Sequence, residues 1–124
     1  MNEALQGPDA QYLAYLAQGR FMIQQAESGV YVFPPKLFAP GSGEAVKWVG
    51  PSGFGTVYST TTISRKPPAE PYNVSIVELD EGPRLLSRVT GRPQDVRIGQ
   101  RVEAFVGEED GAPILLFRPV GGDA

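Results

Sequence analysis

The chain has 124 residues, 41% of them hydrophobic and 20% charged, with a formal net charge of −3. Those values fit one globular domain with a small appendage, exclude a disordered chain, and argue against a protein that coats nucleic acid or an anionic membrane. There is no cysteine and no histidine, which removes disulfides, thiolate metal sites, thiol nucleophiles and the commonest general base.

The N-terminal MNEALQGPDA is polar and carries two acids, so it lacks the basic start and apolar centre of a signal peptide. No apolar run is long enough for a membrane span, and the expected location is the cytoplasm. PDAQYLAYLAQGR then shows helical period. Pro8 and Asp9 are start signals and Gly19 is a stop. Leu13, Leu16 and Ala17 share the predicted apolar face, with Tyr12 and Tyr15 at its edges. A helix this short must dock on something, either its own domain or a partner subunit.

Residues 21–48 hold short apolar runs between turns, too sparse to form a core without a staple. From Val49 on, the pattern is strands. GFGTVYSTTTISR (53–65) is long and starts at a glycine bend. YNVSIVEL (72–79) and RLLSRV (84–89) flank a hairpin loop at Asp80-Glu81-Gly82-Pro83. QRVEAFV (100–106) places Val102, Ala104 and Val106 on one side, GAPILLFRPV (111–120) is the last strand, and the tail GGDA is expected to fray. Five short strands with a long bent first strand predict a Greek-key OB barrel. The fold class is therefore mainly β: an N-terminal helical arm (1–20), a ribbon-like segment (21–48) and a five-stranded OB-fold barrel (49–120).

The segment between helix and barrel has a specific shape. Gln25-Ala26-Glu27-Ser28-Gly29 and Ala39-Pro40-Gly41-Ser42-Gly43 are each a pair of positions three apart followed by glycine. Zinc ribbons place two Cys-x-x-Cys knuckles at such a spacing, because tetrahedral zinc takes two ligands from each turn. Here the four ligand positions hold Gln25, Ser28, Ala39 and Ser42, none a soft anion, so zinc is not expected to bind.

With Gly29, Tyr31-Val32-Phe33-Pro34-Pro35, Pro40, Gly43 and Trp48 in the ribbon, the chain resembles a known family. Ser52 to Ser59, Pro71-Tyr72, Val77 to Arg84 and Val96 to Gly99 match it in the barrel. This is the rubredoxin-type zinc-ribbon plus OB-fold family first catalogued as domain of unknown function thirty-five. The resemblance spans nearly the whole chain and departs from the family at all four cysteines. It implies that the ribbon survives without metal, held by packing of Phe33, Phe38 and Pro34-Pro35. It also implies a role beside thiolase-like or acyl-CoA hydratase-like proteins, in which the partner supplies the nucleophile.

Catalytic groups are scarce. Glu78 and Asp80 lead into a turn where acids are ordinary solvated residues, and Gly50, Gly53 and Gly55 precede a strand rather than a phosphate-binding helix. The serines and threonines of 59–64 have no activating base. The charge pattern says more. Arg84, Arg88, Arg92, Arg97 and Arg101 crowd one stretch in which only Asp95 is acidic. Guanidinium groups suit phosphate, so Arg84, Arg88, Arg97 and Arg101 are candidate contacts for the phosphates of a coenzyme A thioester. Leu13, Leu16, Phe33 and Phe38 are candidate partner-interface residues. Two functions follow: a non-catalytic accessory subunit that bridges subunits or presents acyl-CoA, or a single-stranded nucleic-acid binder using Tyr58, Tyr72 and Phe105. The acidic balance favours the first, with a thiolase-like or hydratase-like partner, and leaves a homodimer open.

Overall fold

A computed structural model describes residues 7–64 and 66–120. The N-terminal six residues, Arg65 at the end of the long predicted strand and the GGDA tail lie outside the described residues. One helix, α1 (Pro8–Ala17), precedes eight strands: β1 (Ile23–Ala26), β2 (Tyr31–Val32), β3 (Val46–Val49), β4 (Phe54–Ile63), β5 (Tyr72–Leu79), β6 (Arg84–Ser87), β7 (Arg101–Glu109) and β8 (Ala112–Pro119). They form a three-stranded sheet, β2-β1-β3, and a five-stranded sheet, β6-β5-β4-β7-β8.

The larger sheet curls until its ends meet. Strand β4 pairs with β5 along its length and with β7 at its start, and Tyr58 is the extra residue of a bulge between Val57 and Ser59. Such bulges bend a strand and let it serve two neighbours. Gly55 is required at this bend, since a Cβ there would meet the Glu78 carbonyl oxygen at 2.7 Å. Past β6, Val89 forms a parallel bridge with Phe117 of β8. Thr90 N–H donates to the Phe117 carbonyl (2.8 Å) and Phe117 N–H to that of Arg88 (3.0 Å), which closes the barrel. This is the mainly β, five-stranded OB architecture the strand pattern predicts.

The barrel interior holds Val57, Val77, Leu79, Leu85, Val89, Val96, Val102, Leu115 and Phe117. Leu16 of α1 and Ile23 of β1 join the same core, so helix and ribbon are continuous with the barrel. Alternation along β5 buries Asn73, Ser75, Val77 and Leu79. The two polar members form a network: Asn73 Nδ2–H donates to the Val89 carbonyl, and Asn73 Oδ1 accepts from Val89 N–H and Ser75 Oγ–H. Asn73 thus holds both backbone groups of the residue that closes the barrel.

Helix α1 starts at Pro8 and stops at Gly19, whose φ of 78° and N–H bond to Leu16 are those of a left-handed C-terminal glycine. Its buried face differs from the predicted one: Leu16 is 3% exposed, whereas Leu13 and Ala17 face out. Aromatic partners on the ribbon set the rotation. Tyr12 meets the edge of Phe33 and Tyr15 lies by Trp48, each pair at 5.4 Å between centroids, and Trp48 Nε1–H donates to Gln11 (2.7 Å).

Candidate functional site: the ribbon knuckles and the arginine face

The small sheet carries both knuckles. Strand β1 lies between β2 and β3, and Ala26, Val32 and Ala39 form a second small core with Val46 against it. Of the four lost ligand positions, Ala39 is buried in that core, Gln25 is half-buried, and Ser28 and Ser42 are exposed. Gln25 turns its amide to the Gly29 carbonyl (3.2 Å). Zinc does not fit this set: an amide, two neutral hydroxyls and a methyl offer no anionic donor. Among the described residues no group of three or more acids, cysteines or histidines is placed to hold a metal ion there or elsewhere.

Hydrogen bonds link the knuckles instead. Ser28 N–H on the first knuckle donates to the Glu44 carboxylate beyond the second (2.8 Å). Glu44 N–H donates to Ser42 Oγ (3.2 Å), and Ala39 N–H donates to the Glu44 carbonyl (2.8 Å). Buried Gln24 exchanges two bonds with the backbone of Lys36, donating to its carbonyl (2.8 Å) and accepting from its N–H (2.7 Å). This corrects the expectation that packing alone holds the turn. Phe33 does pack on Tyr12 and the main core, but Phe38 is 60% exposed. The side chains that hold the loop, Gln24 and Glu44, were missed because their partners are backbone groups, which leave no residue pattern.

The candidate interface residues therefore separate. Leu16, expected at a docking surface, is instead buried in the core. Phe33 is half-buried between Tyr12 and the core. Leu13 and Phe38 project outward, and Leu37 beside Phe38 is 71% exposed. The knuckle thus presents Leu37 and Phe38 on a loop anchored at Lys36.

The arginines are brought together less than their sequence clustering suggests. Arg84 pairs with Glu78 (3.2 Å), Arg88 with Glu109 (2.8 Å), Arg92 with Asp95 (3.0 Å) and Arg101 with Asp80 (2.7 Å). The Arg101 hydrogen bond holds the Asp80 carboxyl below its ordinary value. Folding has thus supplied Glu109 of β7 and Asp80 of the hairpin loop from 21 residues away, while Glu78 and Asp95 lie nearer along the chain. Arg97 alone of the four candidate phosphate contacts has no acidic partner among the described residues. It sits beside exposed Ile98 in a turn fixed by Gly99 N–H to the Val57 carbonyl (2.8 Å). The three aromatic rings considered for base stacking are capped by arginines of the chain itself: Tyr58 by Arg84, Tyr72 by Arg88 and Phe105 by Arg118.

The fold and this ribbon define a class: a small OB barrel bearing a rubredoxin-like ribbon whose metal ligands are gone. The comparisons place it more closely. A family model described as the C-terminal OB-fold domain of ChsH2 matches residues 48–106. A protein of Pyrococcus furiosus named "DUF35 domain-containing scaffold protein" is 32% identical over 110 residues, 77% of this chain and 80% of that one. A protein of the same name from Methanocaldococcus jannaschii is 32% identical over 106 residues, 74% of this chain and 75% of the other. The chain belongs to the DUF35 family. Among solved structures, a chain of the "Ltp2-ChsH2(DUF35) aldolase" superposes with a TM-score of 0.79 at 30% identity, covering 95% of this chain and 98% of that one. A DUF35 protein of unknown function from Sulfolobus solfataricus shares the fold, with a TM-score of 0.65 at 16% identity. Among the described residues, no helix is long and apolar enough to cross a membrane.

Proposed function

We propose that the chain is a non-catalytic scaffold subunit of an acyl-CoA-processing enzyme complex, seated on a thiolase-like or hydratase-like partner in the cytoplasm. The observation that carries this reading is the near end-to-end match to a chain of the Ltp2-ChsH2(DUF35) aldolase. Two features of this chain support it. Its 124 residues contain neither cysteine nor histidine, so the usual acyl nucleophile and base must come from elsewhere. Its ribbon holds Leu37 and Phe38 out in solvent on a loop fixed by Gln24, and preorganised apolar tips of this kind lower the ordering cost of association. In this reading Arg97 is the first candidate for a coenzyme A phosphate, because Arg84, Arg88 and Arg101 are already paired.

The test is co-expression with any thiolase-like or hydratase-like proteins encoded beside it, followed by purification of the complex. A stable complex is expected, with acyl-CoA turnover in the partner and none in this chain alone. Phe38→Asp should weaken association while the barrel stays folded. Turnover by the isolated chain, or no complex with any neighbour, overturns the proposal.

A further inference from the structure

The register of β5 against β6 decides which way each β6 backbone group faces. Leu79 N–H donates to the Pro83 carbonyl at the hairpin (2.8 Å), and pairing continues as Glu78↔Arg84, Val77↔Leu85, Ile76↔Leu86 and Ser75↔Ser87. In an antiparallel ladder hydrogen-bonded and non-bonded pairs alternate. Leu85 and Ser87 therefore bond β5, whereas Arg84 and Leu86 turn their N–H and carbonyl groups away from it. The next residues keep the same parity. Val89 N–H points back to Asn73, while the Arg88 carbonyl and Thr90 N–H point outward to Phe117. From Arg88 on, β8 takes the outward groups. At Arg84 and Leu86, no backbone group among the described residues takes them.

We propose that this free edge is the seam of a two-fold dimer, two copies of β6 pairing antiparallel with Arg84 of one opposite Leu86 of the other. An open strand edge accepts an extended strand of complementary register, and three features make a second copy the fitting one. First, the available groups are self-complementary. Centring the two-fold on Leu85 joins both outward residues to both of the mate's, with hydrogen-bonded pairs two residues apart as the ladder requires. A one-residue shift toward Arg88 would compete with the bond Arg88 already makes to β8. Second, the charges allow it: each Arg84 is already paired with its own Glu78, so no unpaired like charges meet. Third, the surface beside the seam is apolar. Leu86 is 68% exposed, and with Tyr58, Ile76, Arg84 and Leu85 it lines an open groove of about 410 Å³. The dimer would align the two grooves across the seam, each Leu86 against the aliphatic stem of the other copy's Arg84.

The experiment uses the chain by itself, so its outcome is separate from that of the enzyme-partner proposal. Sedimentation equilibrium from about 10 μM to about 1 mM, the range of weak surface association, should show the mass rising from the 13.4 kDa monomer toward twice that value. Leu86→Pro deletes an outward N–H that the β5 pairing does not use, so it should hold the chain monomeric with little change in melting temperature. Leu86→Lys should do the same by placing ammonium groups beside Arg84 of the mate. Should the proline variant fail to fold, the lysine variant and amide exchange decide: the Arg84 and Leu86 amides should gain protection as the wild-type concentration rises. A monomer at every concentration overturns the proposal. So does a dimer that persists in a folded Leu86→Lys variant, or one formed without protection of those two amides.

Discussion

Replacing Asn73 with alanine should be among the most damaging single changes to this fold. Asn73 is 3% exposed, and its amide serves both backbone groups of Val89 and the hydroxyl of Ser75. Alanine leaves the Val89 N–H and carbonyl buried without partners, while Ser75 keeps its bond to Thr60 (2.8 Å). An orphaned buried polar group costs about 1–3 kcal/mol, so two of them cost about 2–6 kcal/mol, a large part of the roughly 5–15 kcal/mol that holds a domain together. At about 4 °C per kcal/mol for a chain of this size, the melting temperature should fall by about 8–24 °C. Thermal and urea unfolding measure the loss. Native-state hydrogen exchange locates it: the Thr90 and Phe117 amides, which span the closure, should lose protection before β4 and β5 do. Asn73→Asp sets a buried carboxylate oxygen against the Val89 carbonyl, and at neutral pH should be at least as damaging as alanine. A drop of less than about 4 °C for the alanine variant, or uniform loss of protection, would refute the claim that Asn73 secures the closure.

Three further outcomes are expected. Changing Gln25, Ser28, Ala39 and Ser42 together to cysteine should give a chain that binds one zinc and melts higher, because binding to the native state alone adds its binding energy to stability; elemental analysis and calorimetry check this, with the wild type free of stoichiometric zinc. Burial pushes the Tyr12 phenol up to about 12 from 10.0. Its folded value is the raised one, so its contribution is complete below pH 10 and is lost as pH rises from about 10 to 12; ultraviolet titration should show a late-titrating phenol that disappears in Tyr12→Phe. Asp80, held low by Arg101, contributes stability above its unfolded value and loses it as pH falls through the folded one; carboxyl chemical shifts should place its midpoint low, and Arg101→Gln should return it to the ordinary range.

Much of the barrel was legible because strand signals are local. Alternation in YNVSIVEL and QRVEAFV, the Asp80–Pro83 turn and the glycine bend before β4 each depend on residues a few positions apart. The knuckle spacing was legible for the same reason, since each turn is set by its own glycine. The rotation of α1 was not. Its faces differ little in apolar content, and Phe33 and Trp48 on the ribbon, far along the chain, chose Tyr12 and Leu16 over Leu13.

The sequence by itself determined the helix, the five barrel strands and their order, and that the four ligand positions lack anionic donors, because these follow from residue type and short-range period; the three short ribbon strands, β1 to β3, were not among them. Only the tertiary structure decided which charges are free and which backbone groups are satisfied. Arg88 and Glu109 are 21 residues apart yet 2.8 Å apart in space, so an arginine cluster on paper becomes separate ion pairs with Arg97 left over. The bonds of Glu44 to Ser28, Gln24 to Lys36 and Asn73 to Val89 depend likewise on closure of the chain over 16, 12 and 16 residues. Hydrogen bonds act over about 3 Å, and no residue pattern encodes that approach until the strands have paired.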